Sequence, residues 1–343
     1  MNFLARPRTL LPAAFALSLG IITTLALAQT PTVIKFASVG GITDAPLYLA
    51  EEYGLFAEAG LKIEMQRMTS APNLMTAVAT GQLDVAGISI TPGLYSSVEQ
   101  GFHLRIVGDK QSLRPGVSAT QLVIRSDLAK GTEAENMQVL RGKSIAISAK
   151  ASSVYMLLDK LLKKHGMTLA DVRMVELPYT NMLPALASKA VDGAIDLEPF
   201  LSQALQSGDA KVVSDLSEFV PSEGGTIVPI VYSETFSQST KPANAFMKAY
   251  MQGVRIYNDA FVKGKDKEKT IEIIARYAKV NPKTVRESFP AGLDPNQHIS
   301  LEFLDELQTF FVKQNFLRTP IDVRKVVDLS FAKAAEKELG TYK

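Results

Sequence analysis

The chain contains no cysteine and no tryptophan, and it has only three histidines. Without cysteine there is no disulfide, no lipid-carrying cysteine and no thiol nucleophile. The histidines, His103, His165 and His298, lie apart, each beside a glycine, a helix end or a loop, and read as surface residues rather than metal ligands. No His-Glu-x-x-His, Gly-x-Ser-x-Gly or phosphate-loop motif occurs. Catalysis and a bound cofactor therefore find no support in the residues. The absence of tryptophan weakens a sugar-binding reading, because sugars are often stacked on that side chain. No apolar run after residue 30 is long enough to cross a bilayer.

The first 28 residues read as a secretory signal peptide. Arg6 and Arg8 form a basic start, Leu10 to Ala28 is apolar apart from Ser18, Thr23 and Thr24, and Ala26-Leu27-Ala28 supplies a small-x-small exit. The mature protein is then expected to begin near Gln29 and to reside in the periplasm. Setting aside Arg6 and Arg8 lowers the basic count from 37 to 35, against 35 acidic residues. Near-neutrality argues against a nucleic-acid partner, which rewards a basic face.

What the sequence does contain is a repeat. Residues 74–89 are echoed at 182–197, with Asn73 on Asn181, Ala77 on Ala185, Ala79 on Ala187, Asp84 on Asp192 and Ala86 on Ala194. Each copy reads as a short amphipathic helix, a turn and a buried strand. Repetition of this kind predicts two similar α/β, Rossmann-like lobes. The spacing gives a strand over 33–39, a loop Gly40–Asp44, a helix opened by Pro46, and further strands at 61–68, 85–89 and 104–108. This alternation argues for a mostly parallel sheet with helices on both faces. Thr120–Arg125 is taken as the crossing into a second lobe, which holds strands at 144–148 and 174–177 and a strong helix over 152–165. Thr226–Ser233 is taken as the strand of return, after which the chain is helical. The expected organisation is a first lobe of 31–117 and 226–343, a second of 118–225, a two-strand hinge and a helical C-terminal tail.

In open α/β sheets ligands bind beyond the carboxyl ends of the strands, where helix starts present free N–H groups. Six junctions of this kind frame the expected cleft. They supply Gly41, Ile42, Thr43 and Asp44; Ser70 and Asn73; Ser89 and Thr91; Lys150, Ser152 and Ser153; Tyr179 and Asn181; and Asp196 and Glu198. Taken singly, each junction is also explained by ordinary helix capping. The segment Ser148–Ser153 best suits an anionic group, with its hydroxyls, backbone donors and one lysine. Glu198 also suits the positive end of its own helix. Arg114, at the crossing, fits either a bidentate contact to a carboxylate or sulfonate or a solvated hinge position.

Several segments resemble the nitrate/sulfonate/taurine-type solute-binding proteins, a family that includes binders of the thiamine pyrimidine precursor. They are Asp44-Ala45-Pro46-Leu47-Tyr48-Leu49-Ala50, Gly54-Leu55-Phe56, Gly60-Leu61, Val78-Ala79-Thr80-Gly81-Gln82-Leu83-Asp84-Val85, Leu140-Arg141-Gly142-Lys143-Ser144-Ile145-Ala146 and Glu198-Pro199-Phe200. The resemblance implies a periplasmic binding protein of two hinged lobes, of type II topology, that delivers a small molecule to the ABC permease and ATPase of the inner membrane. It implies ligand contacts at Gly41 to Asp44, at Ser152-Ser153 and near Glu198. The resulting expectation is a monomeric, non-catalytic binder of a small polar, anionic or aromatic compound. The alternatives are a ligand-sensing module for a receptor and an enzyme built on the same two lobes. The related pyrimidine synthases, however, carry cysteine and histidine residues absent here.

Overall fold

The computed structural model describes Met1, residues 30–68 and residues 71–343. The expected signal peptide, its cleavage point and Ser70 lie outside the described residues. Residues Pro31–Lys343 form one compact unit.

Among the described residues ten strands build two five-stranded sheets. They are β1 (Thr32–Ser38), β2 (Leu61–Arg67), β3 (Val85–Gly87), β4 (Arg105–Leu113), β5 (Thr120–Arg125), β6 (Ser144–Ile147), β7 (Arg173–Glu176), β8 (Gly193–Leu197), β9 (Ala210–Ser214) and β10 (Gly225–Tyr232). The first sheet has the order β2-β1-β3-β10-β4 and the second β7-β6-β8-β5-β9. In each, one strand runs antiparallel to its two neighbours. It is β10 in the first sheet and β5 in the second, the strands placed just after each crossing between sheets. The expectation of mostly parallel sheets holds apart from those two insertions.

Helices cover both faces: α1 (Ala45–Glu52), α2 (Leu55–Glu58), α3 (Ala71–Ala79), α4 (Pro92–Glu99), α5 (Glu133–Leu140), α6 (Ser153–Lys164), α7 (Tyr179–Ala187) and α8 (Phe200–Gln206). After the return strand come α9 (Glu234–Gln238), α10 (Thr240–Phe261), α11 (Lys267–Ala278), α12 (Pro282–Glu287), α13 (Leu301–Lys313) and α14 (Ser330–Leu339), so the C-terminal region is helical as expected.

The sequence repeat is a repeat of position. β3 and β8 each occupy the centre of a sheet, and each follows the repeated helix, α3 or α7. Asp84 and Asp192 do the same work in the two copies. The Lys35 N–H donates to Asp84 Oδ2 (2.8 Å) while the Asp84 N–H donates to the Lys35 carbonyl (3.0 Å). The Ser144 N–H donates to Asp192 Oδ2 (2.9 Å) and the Asp192 N–H to the Ser144 carbonyl (2.9 Å). Each aspartate thus extends the ladder to the parallel neighbour, β1 or β6, by one pair. The repeated carboxylates build the fold and leave the cleft to other residues.

The strand expected over 104–108 continues to Leu113, through Asp109-Lys110-Gln111-Ser112. A polar run of four ordinarily ends a buried strand, yet all four side chains are buried here. Each polar group in such a place requires a partner, since an unpaired one costs about 1–3 kcal/mol.

One core cluster runs through both sheets by way of α13. Phe311 meets Tyr95 of α4 edge-on, with ring centres 6.1 Å apart, and Phe310 meets Tyr155 of α6 at 5.8 Å. The Tyr95 hydroxyl donates to the Leu304 carbonyl (3.0 Å), and Lys160 reaches the Glu306 carboxylate (2.6 Å). Two crossing segments and one shared helix therefore join the lobes on this side.

Candidate functional site

A cavity lies between the sheets at the carboxyl ends of their parallel strands. The first sheet contributes Val39, Leu74, Gly87, Ser89, Lys110 and Gln111, with Ile227 and Val228 of β10. The second contributes Thr120, Ser148, Ser152, Ser153, Val154, Tyr179 and Leu197. Its volume is about 40 Å³, which at roughly 10–15 Å³ per water is room for about three. In this conformation the lobes are drawn close together.

On the second lobe the cavity meets the start of α6. This helix exists because its apolar residues Val154, Leu157, Leu158, Leu161 and Leu162 recur on one face and are all buried. Lys163 and Lys164 in the last turn oppose the negative end of its dipole. Its first turn has no side-chain cap, because the Ser152 hydroxyl donates to the Ala149 carbonyl instead (2.7 Å). The first-turn N–H groups of a twelve-residue helix thus open toward the cavity beside the buried Ser153. An uncapped helix start with hydroxyls around it suits an anion. Further in, the Ser148 hydroxyl donates to Tyr179 Oη (3.0 Å), and burial raises the Tyr179 phenol.

On the first lobe, Lys110 crosses the floor of the cavity toward the loop before α1. Its Nζ lies 2.5 Å from Asp44 Oδ1 and within 3.3 Å of Thr43 Oγ1. Asp44 Oδ2 accepts the Ser38 hydroxyl (2.6 Å). Gly87 makes this path possible: a Cβ there would sit 2.3 Å from Lys110 Cδ and 2.8 Å from Cε. Gln111 donates through Nε2 to Thr120 Oγ1 (3.0 Å), linking the two lobes at the rim.

The expected site residues fall into groups. Ser89, Ser152, Ser153 and Tyr179 line the cavity. Thr43 and Asp44 stand one layer behind it, holding Lys110. Ile42 and Thr43 also edge a void of about 10 Å³ with Ser288 and Phe289. Gly41 adopts φ 99°, a conformation open chiefly to glycine, and faces Pro199 across the mouth. Asn73 and Asn181 are exposed, Thr91 and Lys150 half-buried, and none of the four lines the cavity.

Arg114 is placed outside the cavity. Its guanidinium pairs with Asp294 (2.6 Å), and its stem packs where Gly224 and Gly292 have no side chains. Asp196 is fully buried on β8 beside Leu197, with Oδ1 accepting the Leu197 N–H (2.8 Å). Burial, with Glu198 as a like charge nearby, pushes its pKa up to about 7. Its Oδ2, and Oε1 of its strand partner Gln121, have no hydrogen-bond partner among the described residues.

Glu198 is fully engaged. Oε1 accepts the Ser202 hydroxyl (2.7 Å) and the Phe289 N–H (2.9 Å), and Oε2 accepts the Ser202 N–H (3.2 Å) and the Ser288 hydroxyl (3.3 Å). It caps α8 and ties that helix to the segment after α12.

Lys110, Gln111, Gly87 and Thr120 line the cavity without having been singled out in the sequence. The signal available was the four-residue polar run between Val107 and Leu113.

The sequence model of the NMT1/THI5-like family matches residues 42–259. The chain belongs to the NMT1/THI5-like family. A Bacillus subtilis protein named "Putative binding protein YtlA" is 26% identical over 193 residues, 55% of this chain and 56% of that relative. The alkanesulfonate-binding protein SsuA of Xanthomonas axonopodis pv. citri, bound to MOPS, superposes with TM-score 0.68 at 22% identity, covering 87% of this chain and 98% of that one. The periplasmic nitrate-binding protein NrtA of Synechocystis PCC 6803 gives TM-score 0.72 at 17% identity, covering 90% and 89%. At such identities these likenesses establish a shared two-lobed fold.

Proposed function

We propose that the protein is an exported, monomeric solute-binding protein. In this reading its lobes, 31–117 with 226–343 and 118–225, close on a small organic anion and present it to an ABC importer. The observation that carries the reading is the uncapped start of α6. Its N–H groups and Ser153 open on a cavity shared by both lobes, in the place where ligands bind such sheets. Closure would remove the ligand from water and strengthen each of these contacts.

Family membership supports the binding role, and the binding of a sulfonate by SsuA and of nitrate by NrtA supports an anionic ligand. The reading of the first 28 residues supports export. In the lining set Lys110 is held by Asp44 and Tyr179 by Ser148, and the reading takes the role to be binding without catalysis. Among the described residues no helix is long and apolar enough to cross a membrane.

The test is a thermal-shift panel on mature protein that has been unfolded and refolded to strip carried ligand. The panel holds nitrate, alkanesulfonates, aromatic carboxylates and 4-aminopyrimidine. A ligand at a hundred times its dissociation constant adds about 2.7 kcal/mol, a rise of a few degrees. A rise with one anion class is expected. Silence throughout, from a protein that melts cooperatively, removes the reading, and turnover of any panel compound replaces it with the enzyme.

A further inference from the structure

The floor of the interlobe cavity is a lysine stem. Lys110 is 1% exposed, yet it lines the space, because its chain runs across the absent side chain of Gly87 before the ammonium turns to Asp44 and Thr43. Its charge already faces a carboxylate. What it presents to the cavity is the bulk of its methylenes.

We propose that Lys110 is a specificity-determining residue that sets the depth of the site, restricting it to anions with little or no carbon chain. This rests on the anion-binding reading above and adds a division of labour to it. The second lobe, through α6 and its serines, reads the charged group. The first lobe, through the Lys110 stem lying over Gly87, decides how much chain can follow it. The remaining walls on that side, Val39, Leu74, Ile227 and Val228, are apolar and would accept carbon if the depth were available. Asp44 serves as the partner that lets a lysine lie there at all, since a buried ammonium without a carboxylate is strongly disfavoured.

The experiment is calorimetric titration with nitrate, methanesulfonate and butanesulfonate. It uses the wild-type chain and two double variants, Lys110→Ala/Asp44→Asn and Lys110→Met/Asp44→Asn, each checked for cooperative melting. Both variants remove the pair of charges together, but methionine keeps the stem and alanine deletes it. The wild type is expected to favour methanesulfonate over butanesulfonate by about tenfold or more, the lower end of what a misfitted methylene costs. The methionine variant should keep that order, and the alanine variant should lose or invert it. Should the alanine variant fail to fold, Lys110→Val/Asp44→Asn replaces it as the shortened stem, and the methionine variant tests the charge. Loss of all anion binding there makes the ammonium the anion contact and overturns the proposal. An unchanged order in a folded alanine variant overturns it as well, as does equal affinity for both sulfonates in the wild type. If the wild type binds none of the three but binds a bulkier anion such as an aromatic carboxylate, this inference falls and the anion reading stands; if it binds no anion at all, both fall.

Discussion

Glu198 Oε1 accepts the backbone N–H of Phe289 at 2.9 Å, so a buried carboxylate at the start of α8 holds the segment that follows α12. The Phe289 segment belongs with the first sheet, since Gly292 exchanges two backbone hydrogen bonds with Ser112 of β4. Glu198 therefore bridges the two lobes at the mouth of the cleft. Glu198→Gln retains one acceptor oxygen for the four donors now gathered there. It is expected to destabilise the protein by about 1–3 kcal/mol, as for a buried group left unsatisfied, and to speed hydrogen exchange at the Phe289 amide. Denaturation and native-state exchange measure both, and an unaltered Phe289 exchange rate would show that the bond does not hold the mouth.

The Lys110–Asp44 pair is nearly unexposed on both sides. Lys110→Met alone leaves a buried carboxylate facing no cation and should cost about 3–5 kcal/mol. Adding Asp44→Asn should recover much of that loss, so the double variant melts above the single. Urea denaturation of the wild type, both single variants, Lys110→Met and Asp44→Asn, and the double variant gives the coupling. Additive losses would mean that the two side chains do not depend on one another.

Ser152 and Ser153 are adjacent in sequence and differ in what they hold. Ser152 fastens the loop before α6 through the Ala149 carbonyl, while Ser153 lines the cavity. Ser152→Ala should therefore lower the melting temperature of the empty protein, by the roughly 0.5–1.5 kcal/mol of one hydrogen bond. Ser153→Ala should leave it nearly unchanged and weaken anion binding. Equal thermal losses in both would make Ser153 a structural residue.

Burial pushes Asp109 and Asp196 up to about 7, above the ordinary aspartate value near 3.8. In such a case the folded chain holds protons that the unfolded chain releases. The stability linked to these groups is fully present below about pH 4 and declines as pH rises through 7. Asp196→Asn should thus raise the melting temperature at pH 8 and change it little at pH 4 to 5. Melting followed from pH 4 to 8 checks this, and a variant whose curve falls as steeply as the wild type would assign the effect elsewhere.

Much of the architecture was legible because it rests on local rules. The repeat at 74–89 and 182–197 announced two lobes, and the structure explains it through Asp84 and Asp192, each closing a ladder pair. The apolar stripe of α6 placed Ser152 and Ser153 at a helix start, and both line the cavity. Lys110 and Gln111 were not legible, because a polar run reads as the end of a strand unless the partner that buries it is known. That partner, Asp44, lies 66 positions earlier, and the space it needs depends on Gly87. Arg114 and Glu198 show the same limit: their residue types suit a ligand, but distant partners, Asp294 and Phe289, engage them instead. Pairings at such separations leave no trace in spacing.

The most direct test of the central claim is calorimetric titration of stripped wild-type protein and of Ser153→Ala with the anion that gives the largest thermal shift. The expected result is one site per chain in the wild type and clearly weaker binding in the variant, with the two empty proteins melting alike. Binding of equal strength in both, or no binding by a folded wild type, would contradict a ligand seated at the start of α6 between the lobes.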